Sequence, residues 1–355
     1  MNGVSAQALS LISRSLQIRL LQVGEPPGSL TPLANDEPVW KLPLRKTYGP
    51  TKIIGNHMLR KISSLVASAS LCLTAVPAIA EVGHYSVGAE GLLIATLPPP
   101  GVYYRGYLVN YSADTLNDKH GTERSGHNKI DVHAFANQFI WITDYSLLGG
   151  NYGMNAIVPI QQQETQISNF GVKGDAEGVG DILLQPITIT WHAQQWDAVS
   201  MLGVWVKTGD YDSDRSVSIG KGYTSYMFTL GGTRYLDHEK KWAVSATSRY
   251  EKNGEQEGTH LTPGDAFSVE WGISRKINPL LDVGLVGYDV WQLTNDSGTS
   301  VFHPGTKIEH HAIGGEVQYF WRDTQLLINA AVYHEYKSED TFQGDTVRFT
   351  VTRRL

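Results

Sequence analysis

Asp345-Thr346-Val347-Arg348-Phe349-Thr350-Val351-Thr352-Arg353-Arg354-Leu355 carries two chemistries on alternate residues. Val347, Phe349, Val351 and Leu355 fall on one parity, and Thr346, Arg348, Thr350, Thr352 and Arg354 on the other. Successive side chains of an extended chain point to opposite faces, so this is a strand with one apolar and one polar face. After Asp345, which opens the stretch, only Arg353 interrupts the apolar side. The same alternation recurs upstream. Phe267, Val269, Trp271 and Ile273 oppose Ser268, Glu270 and Ser274, and Leu326, Ile328, Ala330 and Val332 oppose Gln325, Asn329, Tyr333 and Glu335. Trp196, Ala198, Leu202, Val204 and Val206 share a face, as do Trp242, Val244, Ala246 and Tyr250.

About twelve such runs fill the chain after residue 101, each ended by Gly, Asp, Asn or Ser. They are expected near 102–113, 128–141, 151–161, 179–190, 195–208, 222–235, 241–252, 265–277, 280–292, 308–321, 324–337 and 345–355. Connections alternate in length. Those at His192–Gln194, Leu236–Lys240, Asn278-Pro279 and Arg322-Asp323 are short, with Thr143–Gly150 an intermediate one. Those at 114–127, 162–178, 209–221, 253–264, 293–307 and 338–344 are longer and polar. Short turns on one rim and longer loops on the other describe an up-and-down antiparallel transmembrane β-barrel of about 12 strands. Its apolar face meets lipid and its polar face lines a lumen. A soluble antiparallel sandwich also alternates, but its strands usually run to only about five or six residues. Aromatics near run ends, Tyr103, Tyr104, Trp141, Trp191, Trp196, Trp242, Trp291 and Trp321, sit where interfacial girdles belong.

Upstream of the runs lies an export signal. Met58 precedes Leu59, Arg60 and Lys61, an apolar stretch covers Ile62–Val76, and Ala78-Ile79-Ala80 forms a small-residue cleavage site. This order is that of a Sec-type signal peptide cleaved after Ala80, leaving Glu81 as the first mature residue. Residues 1–57 then read as an upstream extension from a mis-assigned start, 58–80 as the leader, 81–101 as a pre-barrel segment and 102–355 as the barrel. The single cysteine, Cys72, falls inside the leader, so the mature chain has no thiol for a disulfide or a thiolate metal site. Net charge is −6 with no basic block, which argues against nucleic acid as a partner. No phosphate loop is present, and no cofactor is expected.

Gly83-His84-Tyr85-Ser86-Val87-Gly88-Ala89-Glu90-Gly91 and Leu97-Pro98-Pro99-Pro100-Gly101-Val102-Tyr103-Tyr104 resemble the start of the family named for the MetA pathway of phenol degradation. Gly178-Val179-Gly180-Asp181, ahead of Gln185-Pro186, resembles a second motif of that family. The resemblance extends over nearly all of 81–355. It implies an outer-membrane protein that passes small hydrophobic or aromatic compounds, and it implies no catalytic residues.

Three prolines, Pro98–Pro100, stiffen the end of the pre-barrel segment into a strut. Val87, Leu92, Leu93 and Ile94 give it an apolar character that suits a plug folded into the lumen; a disordered or rim-packed tail is the other reading. The polar parities nominate Arg105, Asp131, His133, Glu270, Glu316, Glu335 and Arg348 as lumen residues, interleaved with the aromatics Tyr103, Tyr107, Phe320 and Tyr333. Mixed signs argue against strong ion selectivity. Asp210, Asp212 and Asp214 alternate as in a calcium loop, but Arg215 and Lys221 occupy its glycine and closing-glutamate positions. His303, His310 and His311 lack a carboxylate cluster beyond Glu309, so no metal is expected. His84-x-Ser86 is a close His–Ser pair, but it lies in the pre-barrel segment and not on the wall, and no catalytic residues are assigned. The expected function is passive uptake of small hydrophobic or aromatic compounds. The alternatives are a structural or adhesin-like barrel and, further off, a lipid-modifying enzyme. Expected partners are outer-membrane lipid and lipopolysaccharide, the solute itself and the barrel-assembly machinery.

Overall fold

The computed structural model describes residues 83–298 and 307–355. The extension, the leader and its cleavage site, and His303 lie outside the described residues. Within them the strands are β1 (Gly101–Leu116), β2 (Asn128–Leu147), β3 (Gly150–Ile167), β4 (Val172–Val179), β5 (Ile182–His192), β6 (Trp196–Val206), β7 (Ser225–Tyr235), β8 (Trp242–Asn253), β9 (Leu261–Thr262), β10 (Ala266–Asn278), β11 (Leu281–Gln292), β12 (Ser297–Gly298), β13 (Glu309–Trp321), β14 (Leu326–Glu339) and β15 (Phe342–Arg354).

Twelve of them close an antiparallel ring, with each strand beside its sequence neighbours and β1 paired to β15. Tyr103 lies opposite Arg354 and Leu116 opposite Phe342 across that seam. Closure leaves no unpaired strand edge around the ring, which is what a barrel in hydrocarbon requires. The three other strands lie outside the ring: β4 pairs with the far half of β3, and β9 pairs with β12 in the loops.

Period two sorts the side chains as the sequence suggests. Leu108, Phe135, Leu202, Leu230, Leu285, Val332 and Phe349 are exposed although large and apolar, and they share the outer face. Trp141, Trp196, Trp242 and Trp321 flank that belt at the short-turn rim. Phe267 and Trp291, stacked at 6.1 Å, stand toward the long-loop rim. Such a belt around a closed ring is a lipid-facing surface. Tyr103 departs from the girdle: it faces inward, is 7% exposed, and its hydroxyl donates to the carbonyl of Pro99.

Three connections differ from the sequence expectation. Thr143–Gly150 reduces to a two-residue turn at Leu148-Gly149, both with positive φ, which matches the twist of a tight hairpin. The stretch 162–178 is a hairpin that carries β3 through Ile167 and returns as β4. The stretch 338–344 shrinks to Asp340-Thr341. Both polar stretches lie beyond the lipid belt, where the outer face has no hydrocarbon to meet and polar residues occupy it, although Ile167, Val172 and Phe342 stay buried on the inner face.

Candidate functional site

The lumen is where the buried chemistry gathers. Arg105, Tyr107, Glu270, Glu316, Tyr333, Glu335 and Arg348 all project inward, and Phe320 does so near the short-turn rim. Asp131 and His133 do not. Their partners across the β1–β2 ladder are Ser112 and Asn110, on the outer face. Asp131 accepts from the Ser112 hydroxyl at 2.6 Å and forms an ion pair with Lys129. His133 is exposed and contacts Asn110. These two positions are therefore removed from the lumen set. Toward the long-loop rim the outer face of β1 and β2 becomes polar, so polarity alone misassigned them.

The segment Gly83–Pro100 lies against the inward residues through its backbone. Glu251 accepts the amides of His84 (2.8 Å) and Tyr85 (3.0 Å). Glu270 accepts that of Gly88 (2.8 Å), and Glu316 that of Leu92 (3.2 Å). The Ala95 amide donates to the Ser245 hydroxyl at 3.1 Å. Arg348 donates to the carbonyl of Ala89 at 2.5 Å, and the Tyr333 hydroxyl to that of Glu90 at 2.8 Å. Irregular backbone has no ladder partner, so buried amides need side-chain acceptors. Three wall glutamates supply them. Leu92 packs with Val286, Tyr288, Val290, Ala331 and Tyr333, and Ala95 and Leu97 with Tyr103, Ile140, Ile142 and Val199.

Three of the acids have an arginine partner. Arg348 meets Glu316 at 2.5 Å, Arg249 meets Glu270 at 2.5 Å, and Arg105 meets Glu90 of the segment at 3.0 Å. Glu335 accepts from the hydroxyls of Tyr111 (2.9 Å) and Tyr288 (2.8 Å), with His310 beside it at 2.9 Å. His310 and His311 point to opposite faces, since His311 pairs with Asp289 and Glu309 on the outside. Asp210 and Asp212 are bridged by Arg215. Among the described residues no group of three or more His, Cys, Asp or Glu is placed to hold a metal ion.

His84 ties the segment's first residues to the long-loop rim. Its Nε2 lies 3.1 Å from Asp181, its Nδ1 lies 2.8 Å from Ser225 Oγ, and its ring sits between Trp205 and Tyr223. Asp181 also accepts the amides of Gly209 and Lys221, both at 2.8 Å, and Lys221 donates to the carbonyl of Gly83. Burial pushes the His84 pKa below its ordinary value despite the carboxylate beside it. Burial alone would raise Asp181, but the hydrogen bonds from His84 and from the two amides hold it below the ordinary range. Sequence reading missed this Ser–His–Asp contact because its members lie 97 and 141 positions from His84. Ser225 is 0% exposed and its hydroxyl lies 2.6 Å from Asn253 Oδ1, so the arrangement is a clasp closed to substrate.

Arg249, Glu251 and Tyr85 were also absent from the sequence-based set. Arg249 and Glu251 alternate with Trp242, Val244 and Ala246 on β8, so their parity was legible; a carboxylate that binds backbone leaves no sequence signal.

The family model described as "Putative MetA-pathway of phenol degradation" matches residues 113–351. The chain belongs to that family. The match leaves out the first motif, at 83–104, and includes the second. No curated protein matches the chain in sequence. Among solved structures, the COG4313 outer membrane channel from Pseudomonas putida F1 superposes with a TM-score of 0.65 at 12% identity, covering 74% of this chain and 97% of that one. The transport unit of the autotransporter AIDA-I from Escherichia coli gives a TM-score of 0.45 at 12% identity, covering 75% and 95%.

Proposed function

We propose that this protein is an outer-membrane channel for passive passage of small hydrophobic or aromatic compounds, closed at rest by the segment Gly83–Pro100. The observation that carries the reading is the set of bonds from wall glutamates to the segment's amides, which hold a strand-free chain against the inner face. The family description, which names phenol degradation, supports the solute class, and the solved outer membrane channel of the same fold supports the channel. Inward aromatics, Tyr103, Tyr107, Tyr288 and Tyr333, give a planar solute apolar surface to slide over. Catalysis forms no part of this reading. The leader at 58–80 would deliver the chain, cleaved after Ala80, to the barrel-assembly machinery and so to outer-membrane lipid and lipopolysaccharide. Sequencing the amino terminus of the envelope-extracted protein should give Glu81.

The channel is tested by single-channel recording and liposome swelling with the mature chain, beside a variant lacking 84–97. The variant should conduct several-fold more and should speed the entry of small aromatics. A deletion that leaves both unchanged would refute a closing role for the segment. A barrel that passes no solute in either form would refute the channel.

A further inference from the structure

Tyr85 is a phenol bound by a protein. Its hydroxyl donates to Glu270 Oε2 at 2.7 Å, and the Arg249 guanidinium lies over its ring, 3.9 Å from the centroid. The ring packs on the cluster of Leu183, Trp205 and Met227, with Ile157 beside it. An acceptor for the hydroxyl, a cation over the ring and apolar walls around it are the elements that recognise a hydroxylated aromatic. The two polar members of this wall also hold each other without the segment. Arg249 and Glu270 pair with each other across the adjacent strands β8 and β10, and Arg249 also donates to Thr247 at 3.1 Å.

Two further polar atoms of this wall lack a partner. Trp205 Nε1 and Thr229 Oγ1 are buried with no hydrogen bond, and Thr229 sits directly across the ladder from Arg249. Buried donors without acceptors are uncommon in a finished core. A site that exchanges its occupant accounts for them, since the resident side chain need not satisfy every group that a visiting molecule meets.

We propose that the wall site formed by Arg249, Glu270, Trp205, Met227 and Leu183 is a binding site for a monohydroxylated aromatic ring, and that Tyr85 occupies it as a built-in competitor. A phenol that displaces Tyr85 also removes one of the segment's side-chain contacts with the wall, next to the His84 clasp, and so couples solute entry to loosening of the plug. The inference deepens the channel reading and rests on it for the identity of the visitor.

The test is calorimetric titration of phenol into the folded chain in detergent. Tyr85→Ala should bind phenol one to one, at least about tenfold tighter than the parent. Methoxybenzene, which has the ring but no hydroxyl to donate, should bind the same variant about tenfold more weakly than phenol, the effect of losing one hydrogen bond to a charged acceptor. Glu270→Gln in the Tyr85→Ala background keeps an acceptor but loses its charge and should shrink that preference, and Glu270→Leu, which has no acceptor, should erase it. Tyr85→Phe keeps the ring in place and should stay closed to phenol. The variant lacking 84–97 serves as a second open form if Tyr85→Ala does not fold. Binding no tighter than the parent in whichever open form folds, or equal binding of phenol and methoxybenzene, would overturn the proposal. Solute flux without a saturable phenol site removes this inference and leaves the channel. A phenol site in a barrel that passes nothing removes the channel and keeps the site.

Discussion

Two buried residues measure how much the wall depends on balanced charge. Arg348 is 2% exposed and Glu316 3%, and their contact at 2.5 Å is the most enclosed ion pair of the lumen. Removing one partner strands the other in a low-dielectric interior, at a cost of about 3–5 kcal/mol. Glu316→Gln should therefore lower the temperature at which the folded band shifts on a gel, and Glu316→Gln with Arg348→Met should recover much of the loss. Parity placed both residues in the lumen, but their pairing spans strands β13 and β15 and was not legible. His84 supplies the pH response at this scale. The groups facing it are Asp181, Lys221, Glu251, Ser225, Asn253, Trp205 and Tyr223. Its bound pKa lies below the ordinary value, so docking is at full strength above about pH 6.5. Below that pH the released ring takes up a proton that the docked ring refuses, and docking weakens as the pH falls. Asp181, held below its ordinary range, stays charged through this window. Conductance should rise between pH 7 and pH 5, and His84→Gln should flatten the rise.

At the scale of the element, the segment's fit turns on Gly91. A Cβ there would come within 1.6 Å of Glu316 Oε2 and 2.6 Å of Arg348 Nη2. Both atoms belong to the pair that anchors the segment, and neither has room to move without opening the pair. Gly91→Ala should thus lift the segment from the wall and raise conductance, while the ring's own ladders remain intact. The readout is conductance set against the gel-shift temperature: a large change in the first with a small one in the second. Equal losses in both would mean that the segment is part of the barrel's structural core. The sequence announced an apolar, proline-ended segment before β1, but not where its amides go. The β3–β4 hairpin was hidden for a different reason. Gln161-Gln162-Gln163-Glu164-Thr165-Gln166 is polar on both parities, so a strand standing above the lipid belt resembles a loop.

The scale of the whole molecule is governed by the belt. Strand number, ring order and the closing contact between β1 and β15 were legible because lipid enforces one apolar parity on every strand it touches, and alternation survives only there. The misread positions, Asp131, His133 and the stretches 162–178 and 338–344, lie where that constraint ends. This gives a prediction about depth. Phe349 on β15 lies opposite Leu108 on β1 and Ala330 on β14, and Leu108 lies opposite Phe135 on β2, so these outward side chains form a continuous apolar row. A charge at the mid-depth of such a row costs about 2–4 kcal/mol, against about 0–1 near an interface. Phe349→Arg should then destabilise the bilayer-inserted barrel several times more than the same change at Tyr336, which stands toward the long-loop rim. Chemical unfolding in lipid vesicles reads the difference. In detergent micelles, which deform around a charge, the gap should narrow. Equal costs at the two positions would place Phe349 away from the hydrocarbon and would require a different orientation of the ring in its membrane.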